Sequence, residues 1–278
     1  MTGEHFHLAQ TCGHARTGEL ITSHGTVPTP VFMPVGSQAT VKTLTPEDVR
    51  CVGFGMVLAN TYHLYLRPGV EVIKKMGGLH RFMAWDGAML TDSGGYQIFS
   101  LAPLCRVREE GVTFRSHIDG SEHFLTPELA VQYQETLGAD IIMVLDECPA
   151  IDDSQEKVQK AVARTHRWAE RCRQAQKSRA QALYAIVQGG VYPELRRQSA
   201  EYLSSLDFPG YAIGGLSIGE PKDIMLAMIE ETVSYLPESK PRYLMGVGSP
   251  EDIVAGVARG IDIFDSALPT RVARNGAL

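Results

Sequence analysis

At 278 residues, with 44% hydrophobic and 21% charged residues, the chain can bury a large core and has the length usual for an α/β barrel. A net charge of −6 excludes any general attraction for nucleic acid, so RNA or DNA binding would need a local basic patch. No apolar run reaches the roughly 18 residues of a membrane span, and the opening Met-Thr-Gly-Glu-His-Phe-His has no basic-then-apolar leader pattern. A cytoplasmic protein with no membrane partner is expected.

Residues 1–30 are irregular, punctuated by Gly13, Gly18, Gly25, Pro28 and Pro30, and short alternations such as Glu19-Leu20-Ile21-Thr22 suggest a β-hairpin lid. His5, His7, Cys12 and His14 lack helical or knuckle spacing and read as ordinary side chains rather than metal ligands. The cysteines Cys12, Cys51, Cys105, Cys148 and Cys172 are odd in number and include no Cys-x-x-Cys, which points to reduced thiols and no internal zinc. From residue 31 a rhythm of strand, polar tip and helix begins. Strands are expected at Val31–Val35, Met56–Asn60, Met89–Thr91, Ile141–Leu145, Leu183–Val187, Tyr211–Gly214, Tyr243–Met245 and Ile261–Phe264.

Helices fall between most of them. Thr45-Pro46-Glu47-Asp48 and Thr126-Pro127-Glu128 each show an N-cap, a proline at the first helical position and early acids. Asp153–Arg179 has an inward stripe at 158, 161, 162, 165, 168, 169 and 172, and Pro193–Leu206, Pro221–Leu236 and Pro250–Ala258 also read as helices. Arg164, Arg167 and Arg171 share one face of the first of these and are expected to be a solvated face. Arg106–Phe124 breaks the rhythm, and its alternation around Glu109-Glu110-Gly111 and Asp119-Gly120 suggests an inserted β-hairpin. Eight strands alternating with helices close a parallel (β/α)8 TIM barrel, and no boundary divides residues 1–278, so one catalytic barrel is expected.

Chemistry in such barrels gathers at the C-terminal strand ends. These tips hold Asp92-Ser93-Gly94-Gly95-Tyr96, Asp146-Glu147-Cys148, Gln188-Gly189-Gly190, Gly214-Gly215-Leu216, Met245-Gly246-Val247-Gly248 and Asp265. Two carboxylates on separate strands, Asp92 and Asp265, can divide nucleophile and acid/base roles at one carbon. Asp146 and Gln188 offer hydrogen-bonding edges, and Gly214-Gly215 offers bare backbone. Together with the ring of Tyr96 they suit a flat heterocycle such as a purine. Arg271 and Arg274 flank the last tip and could hold phosphates beside Asp265.

These residues resemble the tRNA-guanine transglycosylase (queuine tRNA-ribosyltransferase) family along essentially the whole chain. The resemblance lies in Phe32-Met33-Pro34-Val35-Gly36, Ala39-Thr40-Val41-Lys42, Asn60-Thr61-Tyr62-His63-Leu64, Leu66-Arg67-Pro68-Gly69, Thr91–Gln97, the tips above, and Phe264-Asp265 running into Leu268-Pro269-Thr270-Arg271. It implies a barrel enzyme that exchanges guanine at the wobble position of certain tRNAs for a 7-deazaguanine, through a covalent enzyme–tRNA intermediate. By this resemblance Asp265 is the nucleophile and Asp92 the general acid/base. Ser93, Asp146, Cys148, Gln188, Gly215 and Leu216 bind the base, and Tyr96 and Met245 are its stacking walls. The segments Gly246, Val247, Gly248, Ser249, Pro250, Glu251, Asp252 and Thr270, Arg271, Val272, Ala273, Arg274 contact tRNA. Cys148 and Ile218 resemble the bacterial pocket, which takes the small base preQ1 and excludes queuine.

Two departures stand out. Ser266-Ala267 replaces a usual Cys-Val and Val272 a usual Asn, which touches RNA contacts rather than the acids. The resemblance also implies a C-terminal segment with Cys-x-Cys-x-x-Cys and a later His, holding one structural zinc and supporting a homodimer. Those ligands are not in this sequence, so the expectation is a chain without cofactor, mainly monomeric, with weakened tRNA exchange. Rival readings stay open: a non-catalytic tRNA-binding subunit or truncated fragment of the same family, and a barrel glycoside hydrolase. The non-catalytic subunit would be expected to lack one acid; the hydrolase would be expected to offer tryptophan platforms at the tips, where Trp85 and Trp168 do not fall.

Overall fold

The structure is a computed structural model that describes residues 5–102 and 104–277; the start of the leader reading, at residues 1–4, lies outside them. Eight parallel strands close a barrel in chain order: β4 (Val31–Gly36), β5 (Met56–Ala59), β6 (Ala88–Thr91), β10 (Ile141–Met143), β11 (Ala182–Val187), β12 (Gly210–Ile213), β13 (Arg242–Leu244) and β14 (Ile263–Ser266), with β14 pairing back onto β4. All eight expected strands are present. The last is shifted, so that Asp265 sits inside the strand, opposite Met33, rather than beyond its end. β5, β6, β10, β11, β12 and β13 are buried on both faces, which explains their continuous apolar runs.

Local chemistry starts the helices where expected. In α1 (Pro46–Cys51) Thr45 and Asp48 form a reciprocal capping box, and in α6 (Pro127–Leu137) Thr126 caps the amide of Leu129. Between them lie α2 (Thr61–Leu66), α3 (Val70–Lys75), α4 (Leu79–Met83) and α5 (Gly95–Leu101). The long α7 (Gln155–Ala175) buries all seven positions of its stripe: Val158, Ala161, Val162, Thr165, Trp168, Ala169 and Cys172. The remaining helices are α8 (Pro193–Ser205), α9 (Lys222–Val233), α10 (Pro250–Val257) and α11 (Leu268–Arg274).

Two additions flank the barrel. The N-terminal hairpin has a third strand: β1 (Phe6–Cys12), β2 (Ala15–Thr22) and β3 (Gly25–Thr29) form an antiparallel sheet. It covers the floor of the barrel, the end away from the strand tips. Arg16 donates to both carboxylate oxygens of Asp262 at 2.8 and 2.6 Å, just before β14, and His5 meets the Tyr184 hydroxyl at 2.8 Å. The inserted hairpin likewise gains a strand, as β7 (Cys105–Val107), β8 (Val112–Arg115) and β9 (Glu122–Leu125), because its two turns join two hairpins that share β8.

The arginine face of α7 differs from the sequence expectation. Arg167 donates twice to Glu109 and Arg171 twice to Glu128, Arg171 also reaches the carbonyls of Glu109 and Glu110, and Arg164 donates to Glu147. The face clamps the β7–β8 turn against the barrel. Its partners come from other segments, so the helix sequence alone reads as solvated.

Candidate active site

At the C-terminal mouth, the chain leaves β6 through Asp92 and Ser93, and Gly94 turns it into α5 with φ +84°. A Cβ at Gly94 would press on the backbone of Tyr62 at 3.0 Å, so both conformation and space require glycine there. Asp92 is buried and held from two elements. Oδ1 accepts from the Thr61 amide at 2.9 Å; Oδ2 accepts from Asn60 Nδ2 at 2.5 Å and Gln97 Nε2 at 2.9 Å. Burial raises its pKa to about 6, the nearby charge of Asp265 adds to the rise, and the donors offset part of it.

Asp265 lies in β14, where Oδ1 accepts from the Tyr243 hydroxyl at 2.5 Å and the Gly246 amide at 2.7 Å. Burial pushes its pKa up, against those two donors. Asp146 follows β10, accepts from Gln188 Nε2 at 2.6 Å, and is also raised to about 6, by burial first and then by the charges of Asp92 and Glu147. Three buried carboxyls from β6, β10 and β14 therefore gather at one mouth, with Asp92 within electrostatic range of both Asp146 and Asp265. Ionising them together is costly, which raises the pKa of each toward neutral pH.

The other expected site residues are arranged around them. Ser93 is buried and accepts from the Gly95 amide. Gln188 is buried at the tip of β11, and its Oε1 has no hydrogen-bond partner among the described residues. Gly215 follows β12 at φ +66°, and a Cβ there would collide with Gln188 Oε1; Leu216 beside it is buried. The Cys148 thiol is pushed up to about 12 by burial and by Asp146, so it stands there as a neutral donor. Tyr96 is 49% exposed on α5, and Met245 is half-buried after β13.

In the segment expected to meet RNA, Val247 and Gly248 are buried, leaving Gly246, Pro250 and Glu251 exposed. Ser249 and Asp252 are tied together at the start of α10, with Lys222 on Asp252. Arg271 and Arg274 project from α11 with Ala273, beside half-buried Thr270 and Val272, and neither guanidinium has an ion-pair partner among the described residues. Both indoles are buried, with N–H groups donating to the Ala88 and Glu109 carbonyls, so neither is a sugar platform.

Sequence reading missed the residues that hold the acids: Asn60, Thr61, Gln97 and Tyr243. Asn60-Thr61 and Gln97 belong to the quoted motifs, and that was their only signal. It also missed a floor cluster in which His24 and His80 stack at 3.6 Å and both face Asp140, at 2.8 and 3.4 Å. The His24 hydrogen bond fastens the β2–β3 turn to Asp140, whereas His80, on α4, approaches the same carboxylate and hydrogen-bonds the Gly87 carbonyl at 3.1 Å. The five cysteines lie apart along the chain and do not assemble a thiolate zinc set.

The family model for queuine tRNA-ribosyltransferase matches residues 11–278. The chain belongs to the queuine tRNA-ribosyltransferase family. Among its relatives, the queuine tRNA-ribosyltransferase of Dehalococcoides mccartyi strain BAV1 is 66% identical over 263 residues, covering 95% of this chain and 67% of that one. Those of Pelotomaculum thermopropionicum and Herpetosiphon aurantiacus are 64% and 58% identical, covering 94% and 98% of this chain and 71% and 69% of theirs. The chain thus spans about two thirds of these relatives' length, and the family resemblance read from its motifs holds along the whole barrel. No described helix is long and apolar enough to cross a membrane.

Proposed function

We propose that this protein is a tRNA-guanine transglycosylase of queuosine biosynthesis, a pentosyltransferase that exchanges guanine at the wobble position for preQ1 in the cytoplasm. Membership of the queuine tRNA-ribosyltransferase family supports the transglycosylation and the tRNA substrate. The observation that carries the site reading is the meeting of buried Asp92 and Asp265 at one mouth, with Asp92 titrating near 6.

In this reading the Asp265 carboxylate attacks C1′ of the ribose, and the glycosidic electron pair leaves with guanine. Asp92, protonated in an appreciable fraction near neutral pH, delivers a proton to the departing base. The incoming base then returns a proton to Asp92 and attacks C1′, releasing Asp265. One N-glycosidic bond breaks and one forms, so no phosphoryl donor is consumed. Tyr243 and the Gly246 amide point the Asp265 oxygen, and Asn60, Thr61 and Gln97 point those of Asp92. Asp146, Gln188, Cys148 and the backbone at Gly215 and Leu216 suit the edges of the base, with Tyr96 and Met245 on its faces. Half-buried Ile218 supports preQ1 over the bulkier queuine, and Arg271 and Arg274 suit the tRNA backbone.

The test is tRNA labelled in its wobble guanine, incubated with preQ1. Guanine should be released with the strand intact, and withholding the base should trap an adduct that survives denaturing electrophoresis. Asp265→Asn should abolish the adduct. A normal adduct yield in that variant would reassign the nucleophile, and strand cleavage would point to a hydrolase or nuclease instead.

A further inference from the structure

Arg196 sits on α8 with no exposed surface, and no carboxylate lies within ion-pair distance of it among the described residues. An isolated buried guanidinium is costly unless its donors are used. All of its partners are main-chain carbonyls. Nε donates to Gly190 at 2.9 Å, Nη1 to Val187 at 3.2 Å and Gly214 at 2.7 Å, and Nη2 to Gly215 at 3.2 Å. These carbonyls belong to the tips of β11 and β12, the two tips that bear Gln188 and Gly215. One side chain thus ties two neighbouring strand ends together from behind.

Its effect on the front follows from peptide geometry. A trans peptide holds its C=O and N–H in opposite directions, and the peptides after Gly214 and Gly215 are trans. Turning both carbonyls onto the guanidinium turns the N–H groups of Gly215 and Leu216 away from it. Neither N–H donates to a backbone acceptor among the described residues. Gln188 lies against the same glycines, so a side chain at either would collide with it. A cation on the carbonyl oxygens also polarises both peptides, making their N–H groups stronger donors. Two unused, polarised donors beside Gln188 match a carbonyl oxygen on the ligand.

We propose that Arg196 is a positioning residue for base recognition: from behind the β11 and β12 tips it aims the Gly215 and Leu216 amides at the 6-oxygen of the purine. This rests on the base-pocket reading given above. Burial lowers the pKa of Arg196 only to about 10, so the cation persists at neutral pH.

The test compares guanine with 2-aminopurine, which lacks the 6-oxygen and with it the N1 proton, and is fluorescent; the readout is therefore the change in their affinity ratio between variants. Direct titration gives the affinity of 2-aminopurine, and guanine is measured by competition. In the unaltered protein guanine should bind more tightly. In Arg196→Met the preference for guanine should fall on the order of tenfold, as for loss of two net hydrogen bonds, while 2-aminopurine affinity changes little. Arg196→Lys keeps the charge but reaches fewer carbonyls, so it should fall less. A purely structural role would weaken both ligands alike, so an unchanged ratio in either variant with a native circular dichroism spectrum overturns the proposal. If Arg196→Met does not fold, Arg196→Lys decides by the same ratio. An unaltered protein that binds 2-aminopurine as tightly as guanine, or neither, overturns the base-pocket reading itself, an outcome visible before any variant is made.

Discussion

Replacing Asp92 by asparagine should stabilise the fold while it removes activity, and the size of both effects follows from the site. A carboxyl that titrates at about 6 instead of 3.8 costs the folded state about 3 kcal/mol once ionised. The unfolded chain loses this proton near pH 4 and the folded one near pH 6. Stability from this group is therefore fully present below pH 4, declines across that window and is flat above it. Asparagine has no charge to bury and does not repel Asp265. It must still meet three donors, from Thr61, Asn60 and Gln97. Gln97 can turn its amide to offer Oε1, which has no partner in the aspartate form. Setting roughly one lost hydrogen bond, about 1 kcal/mol, against the relief leaves a gain of about 1–2 kcal/mol, a rise of a few degrees in Tm above pH 7. Base exchange should meanwhile drop about 10²–10⁴-fold, as general acid/base removal does. Thermal unfolding at pH 4 and pH 8, beside exchange kinetics, measures both. A Tm difference between the two proteins that does not change with pH would refute the buried-charge argument, and near-normal turnover would refute the acid/base role.

Arg16→Ala should cost about 3–5 kcal/mol, roughly 10 °C in Tm, because it strands the buried Asp262 charge under the floor sheet; a loss below about 1 kcal/mol would show that the sheet is held otherwise. Ile218→Gly should widen the pocket so that queuine is accepted alongside preQ1; unaltered protein that uses both bases equally well in exchange assays would remove Ile218 from the selectivity. Arg271→Ala and Arg274→Ala should each weaken tRNA binding and reduce the slope of log affinity against log salt by about 0.7, as loss of one phosphate contact to single-stranded RNA does. Titrations from 50 to 200 mM salt with unchanged slopes would take both residues off the RNA.

What was legible in the sequence is what depends on near neighbours in the chain. Alternating strands and helices, Thr45 and Thr126 as caps, and the seven-residue stripe of α7 all arise from backbone geometry and burial within a few turns, so the barrel could be read directly. The motif residues at the tips could be read too, because parallel strands all point their C-terminal ends to one mouth. Pairing across distant segments could not. The arginines of α7 looked solvated until Glu109 and Glu128 arrived from the insert and from α6, and the hairpin at residues 6–22 gave no sign of which barrel end it covers until Arg16 met Asp262. The same holds for the chemistry. Carboxyl type and order were in the chain, but the raised pKa of Asp92 comes from burial and from Asp265, which only barrel closure brings near. Arg196 makes the point most sharply: in sequence it is one more charge on an amphipathic helix, and only the closing of β11 beside β12 turns it inward onto four carbonyls. Desolvation and long-range Coulomb interactions depend on three-dimensional proximity, so they were decided by the tertiary structure alone.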